Sequence, residues 1–346
     1  MKTAVVLFNL GGPDGPRAVR PFLFNLFNDR AIIGLAQPFR WLLAQLISRR
    51  RASVAGRIYD KIGGKSPLLE ETTRQAAALQ GELDAAGDFK TFIAMRYWHP
   101  LGDETAQRVR DYGPDQIVLL PLYPQFSTTT TGSSLKDWRR TAKAAGLGAP
   151  TRAICCYPAN PGFVDTVGRL TDAAIARARQ SAPPRVLFSA HGLPKKIVDA
   201  GDPYPQHIEQ SVRAIVGKLA SKDPDWVICY QSRVGPLQWI GPSTEAEIGR
   251  AAADGKSVVM VPISFVSEHS ETLVELDMDY RELARTLNVA AYERVGTVGD
   301  DGAFIGALRD LVVAAINGGD SAAAPAISCG DGAPACPTDC PACPLN

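Results

Sequence analysis

The sequence carries no excess of charge of either sign and no long uncharged apolar run. Its 37 lysines and arginines are balanced by 36 aspartates and glutamates, a formal net charge of +1. This balance argues against a dedicated nucleic-acid-binding protein, which normally has a basic excess. A transmembrane helix needs about 20 mostly apolar residues, and the nearest stretch, residues 31–51, is interrupted by Pro38 and Arg40. We therefore expect neither nucleic acid as a partner nor a membrane span.

Signals for export and for nucleotide binding are also missing. The first apolar run ends at Asn9, and a Gly-Gly-Pro turn follows where a signal peptide would have its cleavage site. The string "GGKSP" (63–67) has Tyr59 where a phosphate-binding loop requires glycine. The protein is therefore predicted to be cytoplasmic and to act without a nucleotide.

Cysteine is scarce except at the end of the chain. Of seven cysteines, four lie in the proline- and glycine-rich string "CGDGAPACPTDCPACPLN" (329–346). Structural disulfides are rare in a reducing compartment, so clustered thiols favour metal or redox chemistry. A zinc site, an iron–sulfur site, a disulfide staple and a disordered end all remain open from the residues alone.

Short apolar runs alternate with segments of helical period along most of the chain. Continuous Val, Ile and Leu runs between amphipathic helices are typical of parallel sheets that are covered on both faces. The strings "VLFNLGGP" (6–13) and "VLFSAHGLP" (186–194) both run from a strand into a Gly/Pro turn. The pattern predicts an α/β protein with two doubly wound, Rossmann-like domains, over 1–130 and 131–318, and a cysteine-rich tail over 319–346.

Two motifs carry chemistry-bearing residues. His191 lies at the carboxyl end of a predicted strand, where an imidazole suits proton transfer, although a lone histidine can also be structural. After His269, Glu271, Glu275 and Asp279 recur every fourth residue, which places them on one face of a predicted helix. Such a face is either a solvated acidic surface or a path for protons or for a hard cation such as Fe(II).

Loops rich in arginine, hydroxyls and aromatic rings describe a third feature. Arg96, Tyr97 and Trp239 occur in such loops. Arginine pairs with carboxylates, and aromatic faces stack on flat rings. Together these residues indicate a pocket for a large, planar, carboxylated ligand.

The combined motifs resemble those of the ferrochelatases, in collinear order over about residues 3–317. The strings that carry the resemblance are "LFNLGGP", "GGKSPL", "MRYWHP", "YPQFSTTTTGSS", "SAHGLP", "CYQSRVGP", "WIGP" and "FVSEHSETLVELD". The resemblance implies two Rossmann-like domains with an active-site cleft between them. It also implies insertion of Fe(II) into protoporphyrin IX to form protoheme, the terminal step of heme biosynthesis. Insertion into coproporphyrin III, another tetrapyrrole chelatase activity, and a tetrapyrrole- or iron–sulfur-binding sensor without catalysis are the alternatives.

The resemblance also implies residue roles. His191 is expected to be the base beside the porphyrin nitrogens, with Glu271 as a weak ligand of the substrate Fe²⁺ and a proton acceptor, and with His269 close by. The opposite arrangement, with iron on the histidine side, is left open. Glu275 and Asp279 are expected to form an acidic path. The residues expected to line the porphyrin pocket are Tyr59, Ser66, Arg96, Tyr97 and Trp239.

The tail is similar to the extension that holds a [2Fe–2S] cluster in some bacterial ferrochelatases. The resemblance implies one internal ligand, Cys155 or Cys156. The expected tail ligands are Cys329, Cys336 and either Cys340 or Cys343. Zinc with four thiolates would use similar spacing. Cys229, inside a predicted strand, is expected to be a small apolar residue.

The expected partners are protoporphyrin IX and Fe²⁺. Residues 20–50 carry an apolar, aromatic face with a basic end, and they are the candidate for peripheral contact with a membrane or for guiding an apolar substrate. The protein is expected to be a monomer or a homodimer.

Overall fold

The chain divides into two compact units in the computed structural model. The structure describes residues 1–221, 223–233, 235 and 237–317, and the backbone of 327–329. Among the described residues, the first unit contains Met1–Cys156, Leu308–Asn317 and residues 327–329, and the second contains Tyr157–Ala307. Residues 131–156, which the sequence assigned to the second domain, pack with the first unit.

The first unit is built on a parallel sheet. Its strands are β1 (Thr3–Asn9), β2 (Phe89–Met95), β3 (Gln116–Pro121), β4 (Thr151–Cys156) and β9 (Ile327–Cys329). Their order is β2-β1-β3-β4-β9. Every residue of β1 is buried, as expected for a strand that is covered on both faces. The backbone of β9 pairs with β4 so that Cys329 lies opposite Cys156.

Helices surround this sheet. They are α1 (Val19–Phe27), α2 (Phe39–Asp60), α3 (Leu68–Asp84), α4 (Gly102–Tyr112) and α5 (Thr131–Ala145), with a 3₁₀ turn at Pro16–Ala18. In the apolar stretch 31–51 the helix α2 begins only after Pro38, at Phe39, and it continues to Asp60. No helix in the part of the chain that the structure describes is long and apolar enough to cross a membrane.

The second unit has its own parallel sheet, in the order β6-β5-β7-β8. Its strands are β5 (Pro184–His191), β6 (Asp225–Gln231), β7 (Ser257–Pro262) and β8 (Tyr292–Arg294). Its helices are α6 (Pro161–Ala178), α7 (Lys195–Asp199), α8 (Tyr204–Val216), α9 (Thr244–Ala253) and α10 (Tyr280–Thr286), and α11 (Gly302–Asn317) begins in this unit. Two α/β units with parallel sheets confirm the predicted fold class.

The segment Glu271–Asp279 is a π-helix, where the sequence predicted an ordinary helix. Its backbone closes hydrogen bonds over five residues instead of four, a geometry that is rare and is often found at functional sites. A repeat of four residues does not distinguish the two helix types, which is why the pattern did not reveal it. The π-helix leads directly into α10.

Gly162 allows α6 to pack closely on α11. A Cβ atom at this position would lie 2.4 Å from the Ala303 carbonyl oxygen and 2.5 Å from Ala307 Cβ. On the same helix, a Cβ atom at Gly168 would meet only Lys218 Cβ, at 3.8 Å. Both glycines therefore lie in α6, but only Gly162 lacks room for a side chain.

We predict that Gly162→Ala lowers the free energy of unfolding by about 1–3 kcal/mol, because an added methyl group forces the helices apart. The matched substitution Gly168→Ala should be neutral or stabilise the protein by up to about 1 kcal/mol, since alanine favours a helix. Urea denaturation of both variants measures the difference. Equal stability of the two variants would contradict this account of the α6–α11 contact.

Candidate active site

His191 is the last residue of β5, at the carboxyl edge of the second sheet. Its register partner on β6 is Gln231, and its backbone N–H donates to Ser264 Oγ (3.1 Å) in the loop after β7. Parallel sheets place ligands at this edge. The ring is 40% exposed, so it remains accessible from outside the sheet.

Glu271 begins the π-helix and holds the histidine ring. Its Oε2 atom lies 2.8 Å from His191 Nδ1. Burial opposes charge on the ring, but the carboxylate of Glu271 outweighs burial and raises the pKa of His191. Burial likewise opposes charge on the carboxylate, yet His191 and then His269 hold the pKa of Glu271 well below its usual range. These shifts favour an ionised Glu271 and make His191 a stronger base.

Ser232 links Glu271 to the next carboxylate of the π-helix. Its hydroxyl lies 3.1 Å from Glu271 Oε2 and 2.5 Å from Glu275 Oε2, and its backbone N–H donates to Glu275 Oε1 (2.8 Å). Ser232 follows β6 with a φ of 59°, in the left-handed region that non-glycine residues rarely adopt. This conformation turns both its N–H and its hydroxyl towards Glu275.

The hydrogen bonds of Glu275 continue to the surface. Tyr280 OH lies 3.0 Å from Glu275 Oε1 and 3.1 Å from Glu245 Oε1, and Glu245 is exposed at the start of α9. Burial and the charge of Glu271 raise the pKa of Glu275. Burial and the two nearby carboxylates raise the pKa of Tyr280 far above its ordinary value, so the phenol keeps its proton.

The predicted line of three carboxylates is only partly brought together. Glu271 and Glu275 both contact Ser232, whereas Asp279, at the end of the π-helix, is exposed. Sequence reasoning did not select Ser232, Tyr280 or Glu245. Ser232 lies in the quoted string "CYQSRVGP", but its left-handed backbone has no sequence signal.

His269 is buried close to the pair. Its Nε2 atom is 3.9 Å from Glu271 Oε2, and its ring packs on Phe265 with centroids 4.5 Å apart. Burial dominates here and lowers the pKa of His269. The neighbouring Glu268 forms an ion pair with Arg294 instead, with Oε1 at 2.6 Å from Nη1.

Arg96 and Tyr97, in the first unit, converge on Asp29, a residue that sequence reasoning did not select. Arg96 Nη2 and Tyr97 OH lie 2.9 and 2.8 Å from Asp29 Oδ2, and Arg96 Nε donates to Ser133 Oγ (2.7 Å). Burial opposes ionisation of Asp29, but Arg96 and its other donors lower its pKa below the usual value. Tyr97 is fully buried, and it supports this cluster from behind.

The other predicted pocket residues belong to different units. In the first unit, Tyr59 is buried in α2, and Ser66 packs so closely that a Cβ atom at Gly12 would overlap it. In the second unit, Trp239 is half-buried and covers Gly192, where a Cβ atom would meet Trp239 Cε3 at 3.3 Å and the Gln231 carbonyl oxygen at 2.8 Å. The glycine after His191 is therefore required by this close approach.

The cysteines are described only in part. Cys155 and Cys156 are fully buried at the end of β4, and burial raises the pKa of Cys229, inside β6, to about 12. Cys336, Cys340 and Cys343 lie outside the described residues. Within those residues, no group of three or more histidines, cysteines and carboxylates is arranged to hold a metal ion.

We predict that Glu271→Gln lowers the pKa of His191, because burial then acts without the opposing carboxylate. Glu275→Gln should lower it less, since Glu275 acts on the ring from further away. NMR titration of histidine-labelled protein measures both shifts, and the four histidines can be assigned by substitution. An unchanged His191 pKa in Glu271→Gln, or a larger drop in Glu275→Gln, would contradict the geometry.

Comparison with known proteins identifies the family. The Ferrochelatase family matches residues 2–316. Ferrochelatase from Phenylobacterium zucineum (strain HLK1) is 53% identical over 320 residues, 92% of each chain. Ferrochelatase from Wolbachia sp. subsp. Drosophila simulans (strain wRi) is 52% identical over 315 residues, 90% of this chain and 99% of that one.

A solved structure supports the fold. SirB from Bacillus subtilis with Fe3+ matches with a TM-score of 0.50 at 14% identity, over 92% of this chain and 97% of that one. At this identity the likeness concerns the fold alone. The family match and the two relatives are decisive: the chain belongs to the ferrochelatase family.

Proposed function

We propose that this protein inserts Fe(II) into protoporphyrin IX and forms protoheme, as an enzyme of heme biosynthesis. Membership of the ferrochelatase family supports iron insertion into a porphyrin. The observation that carries the proposal is the 2.8 Å contact between His191 and Glu271 at the edge of the second sheet.

The chemistry of metal insertion requires such a pair. The porphyrin loses two pyrrole protons, Fe²⁺ takes their place, and no electron is transferred. A neutral His191 that donates its Nδ1 hydrogen to Glu271 leaves Nε2 to accept a pyrrole proton, and the carboxylate stabilises the imidazolium that forms. Binding a distorted ring, which exposes its nitrogen lone pairs, would lower the barrier further.

Iron must be held weakly so that it can be delivered. Glu271 offers a carboxylate oxygen and His269 an imidazole nitrogen, a donor set that suits Fe(II). We assign proton removal to His191 and iron delivery to the side of Glu271, with Glu275 behind it. The reverse assignment, with iron arriving beside His191, uses the same residues.

We propose that Arg96, Ser66 and Trp239 contact the porphyrin. Arg96 is 19% exposed, and its planar guanidinium matches a propionate, while Asp29 fixes its position. The buried Tyr59 and Tyr97 would support these contacts from behind. Coproporphyrin III, which has more carboxylates, is the alternative substrate, and binding without catalysis is the alternative class of function.

We predict that His191→Ala lowers the rate of iron insertion by about 10²-fold or more, because the general base is lost. Glu271→Gln should also reduce insertion strongly, and both variants should still bind porphyrin. The control Glu282→Gln removes an exposed carboxylate that pairs with Arg285 on α10, and it should retain the wild-type rate. Anaerobic assays with Fe(II) and each porphyrin, followed by the shift of the Soret band, give the rates and the substrate preference.

Two outcomes would overturn this proposal. A wild-type rate of iron insertion in His191→Ala would show that His191 is not the general base. Porphyrin binding by the wild-type protein without insertion of any metal would favour a binding protein over an enzyme.

We further propose that the chain holds a [2Fe–2S] cluster. Two buried thiols end β4, and the register of β4 with β9 sets Cys329 opposite Cys156, so the backbone brings two candidate ligands to adjacent strands. Cys155 or Cys156, with Cys329, Cys336 and either Cys340 or Cys343, would provide four thiolates. When bound, the cluster supplies iron–thiolate bonds that tie the end of the chain to β4.

We predict that protein isolated without oxygen shows visible absorption and contains iron and sulfide in equal amounts. Of the substitutions Cys155→Ala and Cys156→Ala, one should abolish the absorption and the other should not. Cys229→Ala is the matched control, because this thiol is equally buried in another sheet. A colourless protein that contains zinc would contradict the proposal.

The start of α2 supports peripheral contact with a membrane surface. Five large apolar residues in its first turns and just before it are each at least 45% exposed: Leu35, Phe39, Trp41, Leu42 and Leu46. Three arginines, Arg49, Arg50 and Arg51, follow on the same helix and could contact anionic headgroups. We propose a cytoplasmic protein, monomeric or homodimeric, that rests on the membrane through this segment.

A further inference from the structure

A continuous chain of hydrogen-bonding groups leads from the candidate base to the protein surface. It runs from His191 through Glu271, Ser232, Glu275 and Tyr280, and it ends at Glu245. The successive distances are 2.8, 3.1, 2.5, 3.0 and 3.1 Å. Every step is short enough for a hydrogen bond, and no step needs a water molecule.

We propose that Tyr280 and Glu245 form the outlet through which protons released from the porphyrin leave the active site. The proposal rests on the proposed function, because only metal insertion releases these protons. Tyr280 contacts Glu275, and Glu245 contacts Tyr280, so both act through Glu275.

The two hydroxyl groups make the chain suited to carry protons. Ser232 and Tyr280 each lie between two carboxyl groups, yet each hydroxyl has one hydrogen to donate. Each hydroxyl can therefore donate to only one of its two carboxyl neighbours. Its contact with the other neighbour is a hydrogen bond only if that carboxyl group is protonated. An extra proton can therefore be held on a carboxyl group next to each hydroxyl group.

Proton transfer along this chain balances at every step. His191 takes a pyrrole proton on Nε2 and gives its Nδ1 proton to Glu271. Each hydroxyl then receives a proton on its oxygen and passes its own hydrogen to the next carboxylate. Glu245 finally gives a proton to water or to a buffer base. The chain carries one proton at a time, and His191 must return to its Nδ1–H tautomer before Nε2 can accept the second pyrrole proton.

Beyond His191, exposure distinguishes Glu245 from the other members of the chain. Glu271 and Glu275 are only partly exposed and Tyr280 is buried, whereas Glu245 is an exposed residue of the first turn of α9. The π-helix carries a second exposed carboxylate, Asp279, but the hydrogen bonds of Glu275 lead to Tyr280.

The alternative is that the Tyr280–Glu245 hydrogen bond has only a structural role, in holding α10 against α9. Glu245→Gln separates the two explanations, because glutamine still accepts the bond from Tyr280 but cannot carry a proton onward. Tyr280→Phe removes the hydroxyl and keeps the ring. Tyr292→Phe is the matched control, since Tyr292 is buried in the same apolar cluster and its hydroxyl donates to a backbone carbonyl, that of Leu276. Glu282→Gln is the control for loss of an exposed carboxylate.

We predict that Glu245→Gln and Tyr280→Phe lower kcat for iron insertion by about tenfold, less than loss of the base itself, with KM for Fe(II) and porphyrin unchanged. A small buffer base at high concentration should restore the rate of Glu245→Gln, because it collects protons from Tyr280 directly. Both control variants should keep the wild-type kcat. Steady-state assays at low and high buffer concentration, with thermal unfolding of each variant, make the measurement.

Wild-type kcat in Glu245→Gln at low buffer concentration would overturn the proposal, as would a loss that buffer does not restore. If Tyr280→Phe fails to fold, the exposed Glu245→Gln still decides the matter. Absence of iron insertion by the wild-type protein would instead refute the proposed function, so the two failures are distinguishable.

Discussion

The hydrogen bond between His191 and Glu271 joins residues that are 80 positions apart in the sequence. It forms only if β5 ends at the same place where the π-helix begins, and the parallel sheet of the second unit provides this arrangement. Each partner changes the other: the carboxylate raises the pKa of the ring, and the ring holds the carboxylate charged. One contact therefore provides both a base, His191, and an anionic site for a weakly held cation, Glu271. The neighbouring residues are arranged around this contact.

Two unusual backbone segments hold this contact in place. The π-helix of Glu271–Asp279 and the left-handed Ser232 both cost stability compared with regular structure, and such strain is typical of functional sites. In return, the acidic side chains of Glu271 and Glu275 both contact the hydroxyl group of Ser232. The pKa of one carboxyl group is lowered and that of the other is raised, which lets the two stay close without full charge repulsion.

Much of the fold could be predicted from the sequence, because β1, β3, β4, β5 and β7 are mostly buried runs rich in apolar residues. The three-residue strands β8 and β9 are too short to leave such a pattern. His191 and Glu271 could be selected from motifs at a strand end and a helix start. Ser232, Tyr280, Glu245 and Asp29 could not, since their roles depend on contacts between distant segments. The acidic repeat was informative, but it could not reveal a π-helix or the exposure of Asp279.

Neutron diffraction at near-neutral pH would test the central claim, that a charged Glu271 accepts a hydrogen bond from the Nδ1–H group of His191. We expect a deuterium on His191 Nδ1 pointing at Glu271 and none on Glu271 itself. A deuterium on Glu271, with none on His191 Nδ1, would reverse the polarity of this contact and contradict the account.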